Sequence, residues 1–442
     1  MSQEYRLKTA KFGGSSVASS WQFRKVRDIV RADPARRFVV VSAVGKRDKH
    51  DVKVTDLLYL VNAHLHYHVS CDDLFGTVGV RLSEIARELG LSYPISQEFG
   101  LFRERAKTGC FSEEYIVSRG EYFTARMMAE YLDMPFLDAA DVIVFHHDGT
   151  LDKESTAQRL RAAAQECAGR FVMPGFYGAT EDGQIKLFDR GGGDISGAVV
   201  ARCLGADLYE NWTDVSGFLT ADPRIVDDPL PIPHVTYAEL RELSYMGASV
   251  LHEDAVFPVK EAGIPLVIKN TNRPEDPGTV ISAADDGESR QIAGVTGRRG
   301  FVALRVKHAR GVSAASALRA VLAVVERYRA PVERVSTGLS SCTLLFEEAA
   351  VKEYLYSLVA AIEQEAAPES MDVVEHLALV STVGRALPER PELTGRLFDA
   401  LGSAGIDAPF ASRNPGEISV TVAVAEQDFE DAIRAIYAAF VR

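Results

Sequence analysis

The stretch Lys11-Phe12-Gly13-Gly14-Ser15-Ser16 follows a short strand pattern and precedes the pattern of an amphipathic helix. Its two glycines let the backbone approach an anion closely, and the start of the following helix offers unpaired N–H groups and a positive dipole end. Lys11 adds a full positive charge. The stretch therefore predicts a phosphate-binding turn, although a glycine pair before serines is also typical of an ordinary turn with a helix N-cap.

The pattern on either side of this turn indicates the fold class. From residue 5 to about residue 290, apolar strand patterns alternate with amphipathic helix patterns, which predicts a mostly parallel sheet with helices on both faces. Residues 60–135 are expected to be mainly helical. Runs that are apolar on both faces fit buried parallel strands, and they occur at residues 38–42, 142–145, 170–173 and 265–268.

Composition limits the kinds of partner. The chain has 442 residues, of which 47% are hydrophobic and 25% charged, so it can bury a large core. A net charge of −13 argues against nucleic acid, because phosphate backbones attract clustered lysine and arginine. No run approaches the length of a transmembrane helix, and residues 1–9 lack the apolar core of a signal peptide. We expect a cytoplasmic protein with no nucleic-acid or membrane partner.

No metal site is predicted. The five cysteines are scattered and have neither Cys-x-x-Cys nor Cys/His ligand spacing, so we expect reduced thiols. His64, His66 and His68 follow one another at alternate positions, which places His64 and His68 on one helix face. Because no Glu or Cys partner is in register, we interpret this cluster as helix surface.

The composition changes after Ile281, where the small, polar and acidic residues 282–289 predict a linker. Two similar units follow, each in the order strand, helix, strand, strand, helix and each about seventy residues long. We expect a catalytic domain at 1–290, a small α+β domain at 291–370 and a second one at 371–442. A duplicated small module attached to a catalytic domain suggests a sensor.

A second glycine-rich segment, residues 189–194, contains three consecutive glycines. Glycine loses more backbone entropy on folding than any other residue, so a plain chain reversal would seldom need three. Arg190 and Asp194 flank these glycines and would supply an anion clamp and a carboxylate able to orient a lysine. Asp194 could also be a simple helix N-cap.

Three further segments are ambiguous when taken alone. Ser118-Arg119-Gly120-Glu121 is expected to open a helix, and its S-x-x-E spacing fits a capping box equally well. Residues 212–224 are a loop rich in short polar side chains, and residues 245–252 could be a helix that serves packing. The sequence motifs of P-loop enzymes, dinucleotide-binding turns and protein kinases do not occur.

Taken together and in this order, these segments resemble the aspartokinase family over nearly the whole chain. The resemblance implies an amino-acid-kinase domain, with a mostly parallel sheet sandwiched by helices, and two ferredoxin-like ACT domains that sense pathway end products. It implies phosphorylation of the side-chain carboxylate of L-aspartate with ATP and Mg²⁺, giving 4-phospho-L-aspartate for lysine, threonine and methionine biosynthesis. The segments are residues 11–16, 118–121, 190–194, 212–214, 220–224 and 246–252.

The resemblance also implies residue roles. Lys11 would stabilise the transferring phosphoryl group together with Mg²⁺, and Asp194 would hold Lys11 in place. Glu121 would bind the α-ammonium group of aspartate, and Arg190 would form a bidentate pair with a substrate carboxylate. The remaining aspartate positions are Ser42 and Thr55. Phosphate and nucleotide contacts fall to Gly13, Gly14, Ser15, Thr213, Asp214, Asp222 and Arg224.

At three positions the chain departs from the family pattern. Gly193 stands where many relatives have a serine, Leu219 where some have a tyrosine near the adenine, and Ser249 where some have a nucleotide-contacting lysine. The run from residue 45 to residue 56 resembles the longer loop of a monofunctional subgroup often inhibited by lysine. Lysine is therefore the expected effector.

Effector binding is expected at the interface of the two ACT modules. The strand-to-helix loop supplies Arg310 and Ser313, and the next strand supplies Glu333 and Ser336. Glu333 could pair with a lysine ammonium, although a solvated surface glutamate is the commoner case. We expect a homodimer or a dimer of dimers built through these modules. Two alternatives stay open: another amino-acid kinase acting on glutamate, acetylglutamate or carbamate, and a non-catalytic amino-acid sensor.

Overall fold

The computed structural model describes most of the chain. The described residues are 5–189, 191–247, 251, 253–283 and 290–441. They form two compact units, and within them no helix is both long and apolar enough to cross a membrane. The first unit comprises Met1–Phe218, Pro231–Arg241 and Val250–Asp286, and the second comprises Leu219–Leu230, Glu242–Ser249 and Gly287–Arg442.

The strands of the first unit are β1 (Lys8–Phe12), β2 (Arg36–Val41), β3 (Val144–Phe145), β4 (Phe171–Pro174), β5 (Tyr177–Thr180), β6 (Ile185–Leu187), β7 (Leu208–Thr213), β8 (His234–Thr236), β9 (Leu266–Asn270) and β10 (Thr279–Ser282). As far as the chain is described, seven of them form one sheet in the order β4-β2-β1-β7-β9-β10-β8. Its neighbours are parallel apart from the antiparallel pair β9 and β10. A smaller sheet has the order β3-β5-β6.

The helices of this unit are α1 (Ser20–Ala32), α2 (Val54–His66), α3 (Asp72–Leu89), α4 (Ile95–Ala106), α5 (Glu113–Leu132), α6 (Ala139–Val142), α7 (Lys153–Glu166), α8 (Gly192–Leu204), α9 (Tyr237–Tyr245) and α10 (Glu253–Glu261), of which α9 runs on into the second unit. Alternate residues of β2 face two different cores. Val39 and Val41 pack with α1, α2, α3 and α5, whereas Phe38 and Val40 pack with α7 and α8. The predicted sheet with helices on both faces is confirmed.

The second unit contains the strands β11 (Gly294–Lys307), β12 (Val332–Thr337), β13 (Ser341–Glu347), β14 (Ser370–Val383), β15 (Phe410–Ser412) and β16 (Ser419–Ala425) and the helices α11 (Ala314–Arg327), α12 (Glu348–Val351), α13 (Leu355–Ala366), α14 (Pro391–Ser403) and α15 (Phe429–Val441). Among the residues described, its strands form one six-stranded sheet in the order β12-β13-β11-β14-β16-β15. The long strands β11 and β14 pair antiparallel at its centre. Two repeats of the predicted element order therefore share a single sheet, and an antiparallel α+β region is confirmed.

Some local predictions are wrong. Ser118 does not begin a helix: it lies buried inside α5, whose N-cap is Ser112 with a hydroxyl that accepts a hydrogen bond from the amide of Tyr115 at 3.2 Å. The capping-box interpretation of residues 118–121 fails for that reason. The strand predicted at 142–145 shrinks to β3, because Val142 ends α6. Helix α9 ends at Tyr245, so the prediction that a helix begins at this residue is also wrong.

Some predictions fall on positions that the structure does not describe. These are Arg190, residues 248–250, His252 and residues 284–289 of the expected linker. Ahead of that gap, β10 extends to Ser282, so the linker begins later than predicted.

Candidate active site

A cavity of about 920 Å³ opens in the first unit beyond the carboxyl ends of β1, β2 and β7. Open parallel sheets place their ligands at this edge, because the loops that leave neighbouring strands meet there. The first turn of α2 and the middle of α5 complete the wall. Eight of the predicted site residues line the cavity: Gly13, Gly14, Ser15, Ser42, Thr55, Glu121, Thr213 and Asp214.

Three side chains hold one another next to this edge. Lys11 Nζ lies 2.5 Å from Asp194 Oδ1 and 3.4 Å from Asn211 Oδ1, and Asn211 Nδ2 donates to Asp194 Oδ1 at 2.9 Å. The side chains of Lys11 and Asp194 are only 9% and 20% exposed. The Lys11 ammonium is thereby fixed in position before any ligand binds. Asp194 is not the N-cap of α8, a position that Gly191 occupies.

The register of two parallel strands creates this arrangement. Lys11 on β1 lies directly beside Asn211 on β7, and Asp194 reaches both from the first turn of α8. The role of Asn211 was not predicted. Its only signal in the sequence is an amide residue beside Glu210 in a short strand pattern, and a polar side chain that is buried in a strand needs a partner.

The glycine turn at residues 13–15 follows β1 without a spacer. Gly13 N donates to Trp212 O at 3.0 Å, and a short 3₁₀ helix runs over Gly14–Val17. The first N–H groups of a helical turn have no partner within the turn, so the amides of Gly14 and Ser15 are available to an anion. A side chain at Gly14 would place its Cβ 3.1 Å from Ala43 O. The turn therefore leaves little room for a side chain at residue 14.

The triple glycine at 191–193 is needed for similar steric reasons. Gly191 has φ +72°, which favours glycine, and a Cβ at Gly192 would lie 2.5 Å from Phe176 Cδ2. A Cβ at Gly193 would lie 2.9 Å from Ser42 Oγ and 3.4 Å from Lys11 Cε. Ser42 and Lys11 therefore leave little room for a side chain at residue 193.

Glu121 is a buried carboxyl group that lines the cavity and is 5% exposed. Burial raises its pKa to about 8, against the opposing effect of hydrogen bonds from the Ala43 backbone and the Thr55 hydroxyl. Its Oε2 atom has no hydrogen-bond partner among the residues that the structure describes. A cation bound in the cavity would satisfy this oxygen and favour the ionised carboxylate.

Arg119, two residues before Glu121, has a different environment. Its guanidinium lies over the rings of Tyr115 and Tyr122, with the carbon 4.4 Å and 4.5 Å from the ring centroids, and donates to Ser118 Oγ. Ser118 and Arg119 therefore make contacts within α5 itself, whereas Glu121 reaches the cavity.

The predicted nucleotide residues are divided between the two units. Thr213 and Asp214 line the cavity, and Thr213 Oγ1 donates to Asp214 Oδ1 at 3.2 Å. Asp222 and Arg224 are not among the lining residues: they belong to Leu219–Leu230 of the second unit and pair with each other at 2.6 Å. Leu219 lies in the same segment.

The predicted effector residues lie in the second unit. Ser313 is the N-cap of α11 and accepts from Ser316 N at 3.2 Å, and Arg310 is exposed in the loop before it. On β12, Ser336 and Glu333 are both half-buried. Glu333 Oε2 accepts from the Tyr245 hydroxyl at 2.9 Å, while Oε1 is buried without a partner in the described residues. Glu333 is thus not the solvated surface glutamate of the alternative interpretation.

The described residues offer no cluster of ligands for a permanently bound metal ion. Among the described residues, no group of three or more His, Cys, Asp or Glu is arranged to hold a metal ion, and His64 Nδ1 instead contacts Ser70 O at 2.8 Å. A magnesium ion that enters with a nucleotide needs only one or two carboxylates besides the phosphates. Asp214 on the cavity wall fits that smaller requirement.

Comparisons with known proteins agree with this geometry. The amino acid kinase family profile matches residues 7–270, and an ACT domain profile matches residues 380–440. The chain is 32% identical to Aspartokinase 3 of Bacillus subtilis over 98% of each chain. The solved aspartate kinase of Clostridium acetobutylicum is 38% identical, with a TM-score of 0.91 over 98% of this chain and 99% of that one. E. coli aspartokinase III, solved with aspartate and ADP, shares the fold at 23% identity and a TM-score of 0.74 over 99% of this chain and all of that one.

The chain therefore belongs to the amino acid kinase family. Within that family it is an aspartate kinase with a C-terminal ACT region, as its likeness to the Bacillus and Clostridium enzymes over nearly its whole length shows. The predicted enzyme class and fold class are confirmed.

Proposed function

We propose that this enzyme transfers the γ-phosphoryl group of ATP, with Mg²⁺, to the side-chain carboxylate of L-aspartate, giving 4-phospho-L-aspartate for lysine, threonine and methionine biosynthesis. The observation that carries the proposal is the Lys11 ammonium held by Asp194 and Asn211 beside a cavity with a glycine turn and a buried carboxylate. The ADP and aspartate bound to E. coli aspartokinase III support the choice of substrates.

The reaction joins two anions. A carboxylate oxygen forms a bond to the γ-phosphorus, and the bond between that phosphorus and the oxygen bridging to the β-phosphate breaks. Because the nucleophile is already ionised, no base has to remove a proton. Catalysis then depends on neutralising charge and on aligning the reacting atoms.

Lys11 supplies the charge that opposes the transferring phosphoryl group, and Asp194 and Asn211 keep it from moving away. Because these partners are in place beforehand, the ammonium needs little reorganisation in the transition state. The amides of Gly14 and Ser15 donate to the phosphates, whereas the amide of Gly13 already donates to Trp212 O. Bound magnesium supplies further neutralisation of the phosphate oxygens, and Thr213, Asp214, Asp222 and Arg224 are the proposed nucleotide contacts.

Aspartate binds on the other side of the cavity. Glu121 pairs with the α-ammonium group, which satisfies its orphan buried oxygen. The hydroxyl groups of Ser42 and Thr55 donate to the substrate, and Arg190, outside the described residues, pairs with a substrate carboxylate. These assignments explain why the Oε2 atom of a buried carboxyl group has no hydrogen-bond partner among the described residues.

Regulation is proposed for the second unit, with domains at 291–370 and 371–442 and a homodimer or dimer of dimers as the assembly. L-lysine is the proposed inhibitor, contacted by Arg310, Ser313, Glu333 and Ser336. E. coli aspartokinase III has been solved with lysine and aspartate in its T-state, and the Clostridium relative is described as allosteric. The buried, unpaired Oε1 of Glu333 is a ready acceptor for an ammonium group.

ADP release measured with Mg·ATP and a panel of acceptors tests the proposal. We expect turnover with L-aspartate, none with glutamate, acetylglutamate or carbamate, and suppression by millimolar lysine but not by threonine. Turnover with another acceptor would overturn the substrate assignment. No turnover in folded protein would favour a non-catalytic amino-acid sensor.

A further inference from the structure

Arg81 is a buried arginine on α3, outside the set of proposed site residues, and it is 3% exposed. Its Nη1 donates to Val52 O at 2.6 Å, and its Nη2 donates to Gly45 O and lies 3.1 Å from Asp51 Oδ2. Its Nε has no hydrogen-bond partner among the described residues. All the hydrogen bonds of this guanidinium therefore go to one segment, residues 45–52, and they hold that segment at both ends.

Segment 45–52 forms part of the cavity wall. The lining residues that it contributes are Gly45, Lys46, Arg47, Asp48 and Lys49. Three of these side chains are cationic and one, Asp48, is anionic, so this part of the wall has a net positive charge, which suits a cavity for anionic substrates. Arg81 thus anchors a basic stretch of the wall from behind.

Gly45 connects this anchor to the glycine turn. Gly45 N donates to Gly14 O at 3.0 Å, and a Cβ at Gly45 would overlap the Gly14 carbonyl group and lie 2.7 Å from Ser15 N. The backbone of residue 45 therefore lies directly against the turn whose amides are the proposed phosphate donors. The carbonyl oxygen of that same residue accepts from Arg81.

Asp51 is the charged partner of Arg81 in this anchor. Its Oδ2 atom accepts from Arg47 N and Nε, each at 3.0 Å, and pairs with Arg81. Burial opposes ionisation of Asp51, but the hydrogen bonds from Arg47 and the charge of Arg81 outweigh it and lower the pKa of this carboxyl group. A planar guanidinium can serve Gly45 O, Val52 O and Asp51 at once, whereas a lysine ammonium is a compact point charge.

We propose that Arg81 is a positioning residue for the anionic substrates: it holds Gly45 against the glycine turn and fixes the basic segment 45–52 on the cavity wall. It touches no substrate itself. The proposal rests on the proposed phosphoryl transfer for its kinetic consequence, but the placement of segment 45–52 can be tested without turnover.

The variant Arg81→Lys tests the kinetic consequence, and Arg87→Lys on the exposed side of the same helix is its matched control. We expect Arg81→Lys to raise the KM for Mg·ATP and for L-aspartate on the order of tenfold while kcat changes less than about twofold, as fits lost substrate binding. The control should match wild type. Unchanged KM values in Arg81→Lys, or equal effects in both variants, would overturn the proposal.

Hydrogen exchange provides a readout that does not need activity. In Arg81→Lys the amides of residues 45–52, among them Gly45 N with its bond to Gly14 O, should exchange faster than in wild type, while those of α8 stay unchanged. If wild type shows no turnover, the proposed reaction fails, but the exchange comparison still tests Arg81. Unchanged exchange would overturn its role.

The variant Asp51→Asn tests the same anchor if Arg81→Lys does not fold. It removes one charged acceptor and should raise both KM values. Wild-type KM values in folded Asp51→Asn would equally overturn the role of Arg81.

Discussion

The cations Lys11 and Arg81 of the first unit differ from the proposed effector residues of the second unit in how firmly they are held. In the first unit, Lys11 has two fixed partners and Arg81 has three acceptors, so both cations are held in place without a ligand. In the second unit, Arg310 is exposed and Glu333 keeps one buried oxygen without a partner in the described chain. A site that must stabilise a transition state benefits from groups placed beforehand, whereas a sensor responds only if the ligand improves on what is there.

Replacing Lys11 by alanine tests the catalytic side of this contrast and should have the largest effect. We expect kcat to fall about 10³-fold or more, because the preorganised charge opposite the phosphoryl group is lost. Steady-state ADP release measures it, with the exposed Lys352→Ala as control. A loss below tenfold would show that the ammonium is not part of the reaction.

The variant Asn211→Ala tests whether the placement of the Lys11 ammonium contributes to catalysis. The charge of Lys11 remains, but its hydrogen bond to Asn211 and the bridge to Asp194 are lost. We expect kcat to fall about 10- to 100-fold, with little change in either KM, because misplacing a catalytic group raises the barrier. The exposed Asn414→Ala is the control, and equal kcat values in the two variants would contradict the assignment.

Glu121→Gln should act on aspartate binding. Removing the carboxylate that pairs with the α-ammonium group should raise the KM for aspartate about 10- to 100-fold with a smaller effect on ATP. In wild type the KM for aspartate should rise as the pH falls below 8, because the buried carboxyl group becomes protonated. The variant should lack this dependence, and the exposed Glu166→Gln should retain it.

The raised pKa of Glu121 also predicts how the free energy of unfolding depends on pH in the absence of substrate. The folded pKa of Glu121 is about 8 and its ordinary value is 4.5, so folding retains a proton that the unfolded chain releases between these values. The stability from this proton is fully present below pH 4.5 and lost as the pH rises through 8. Glu121→Gln should therefore be more stable than wild type above pH 8, by on the order of 1 to 2 kcal/mol in thermal or denaturant unfolding. A less stable variant at that pH would contradict the buried, unpaired carboxyl group.

The smallest effect is expected in the second unit. Glu333→Gln should raise the lysine concentration for half-inhibition about tenfold and leave kcat and both KM values unchanged, because one ammonium contact is weakened. Inhibition curves measure this, with the exposed Glu353→Gln as control. Unaltered inhibition would remove Glu333 from the effector site.

The parts of the site that the sequence predicts are those with local backbone signatures. Gly14, Gly192 and Gly193 leave little room for a Cβ, Gly191 has a positive φ, and Asp194 follows directly in the chain. Asn211 could not be predicted in its role, because it depends on the register of β1 against a strand about two hundred residues later. The role of Arg81 could not be predicted either, because it depends on tertiary contacts between α3 and residues 45–52, and α2 separates the two in the chain.

Local spacing also produced an error. The S-x-x-E pattern at 118–121 looks like a helix start, but the helix begins at Glu113 and buries Ser118 under the packing of Arg119 between tyrosines. Capping patterns describe what a segment could do, and tertiary packing decides whether it does. The sequence predicted the loop and the strand that carry the proposed effector residues, which are the loop before α11 and β12. It did not predict the hydrogen bond between Tyr245 and Glu333.

Trapping the product would test the central claim most directly. An acyl phosphate reacts with hydroxylamine, so wild type supplied with Mg·ATP, L-aspartate and hydroxylamine should form the β-hydroxamate of aspartate, in step with ADP release. Lys11→Ala should form almost none. ADP release without hydroxamate, or equal hydroxamate from Lys11→Ala, would contradict phosphorylation of the aspartate side chain at this site.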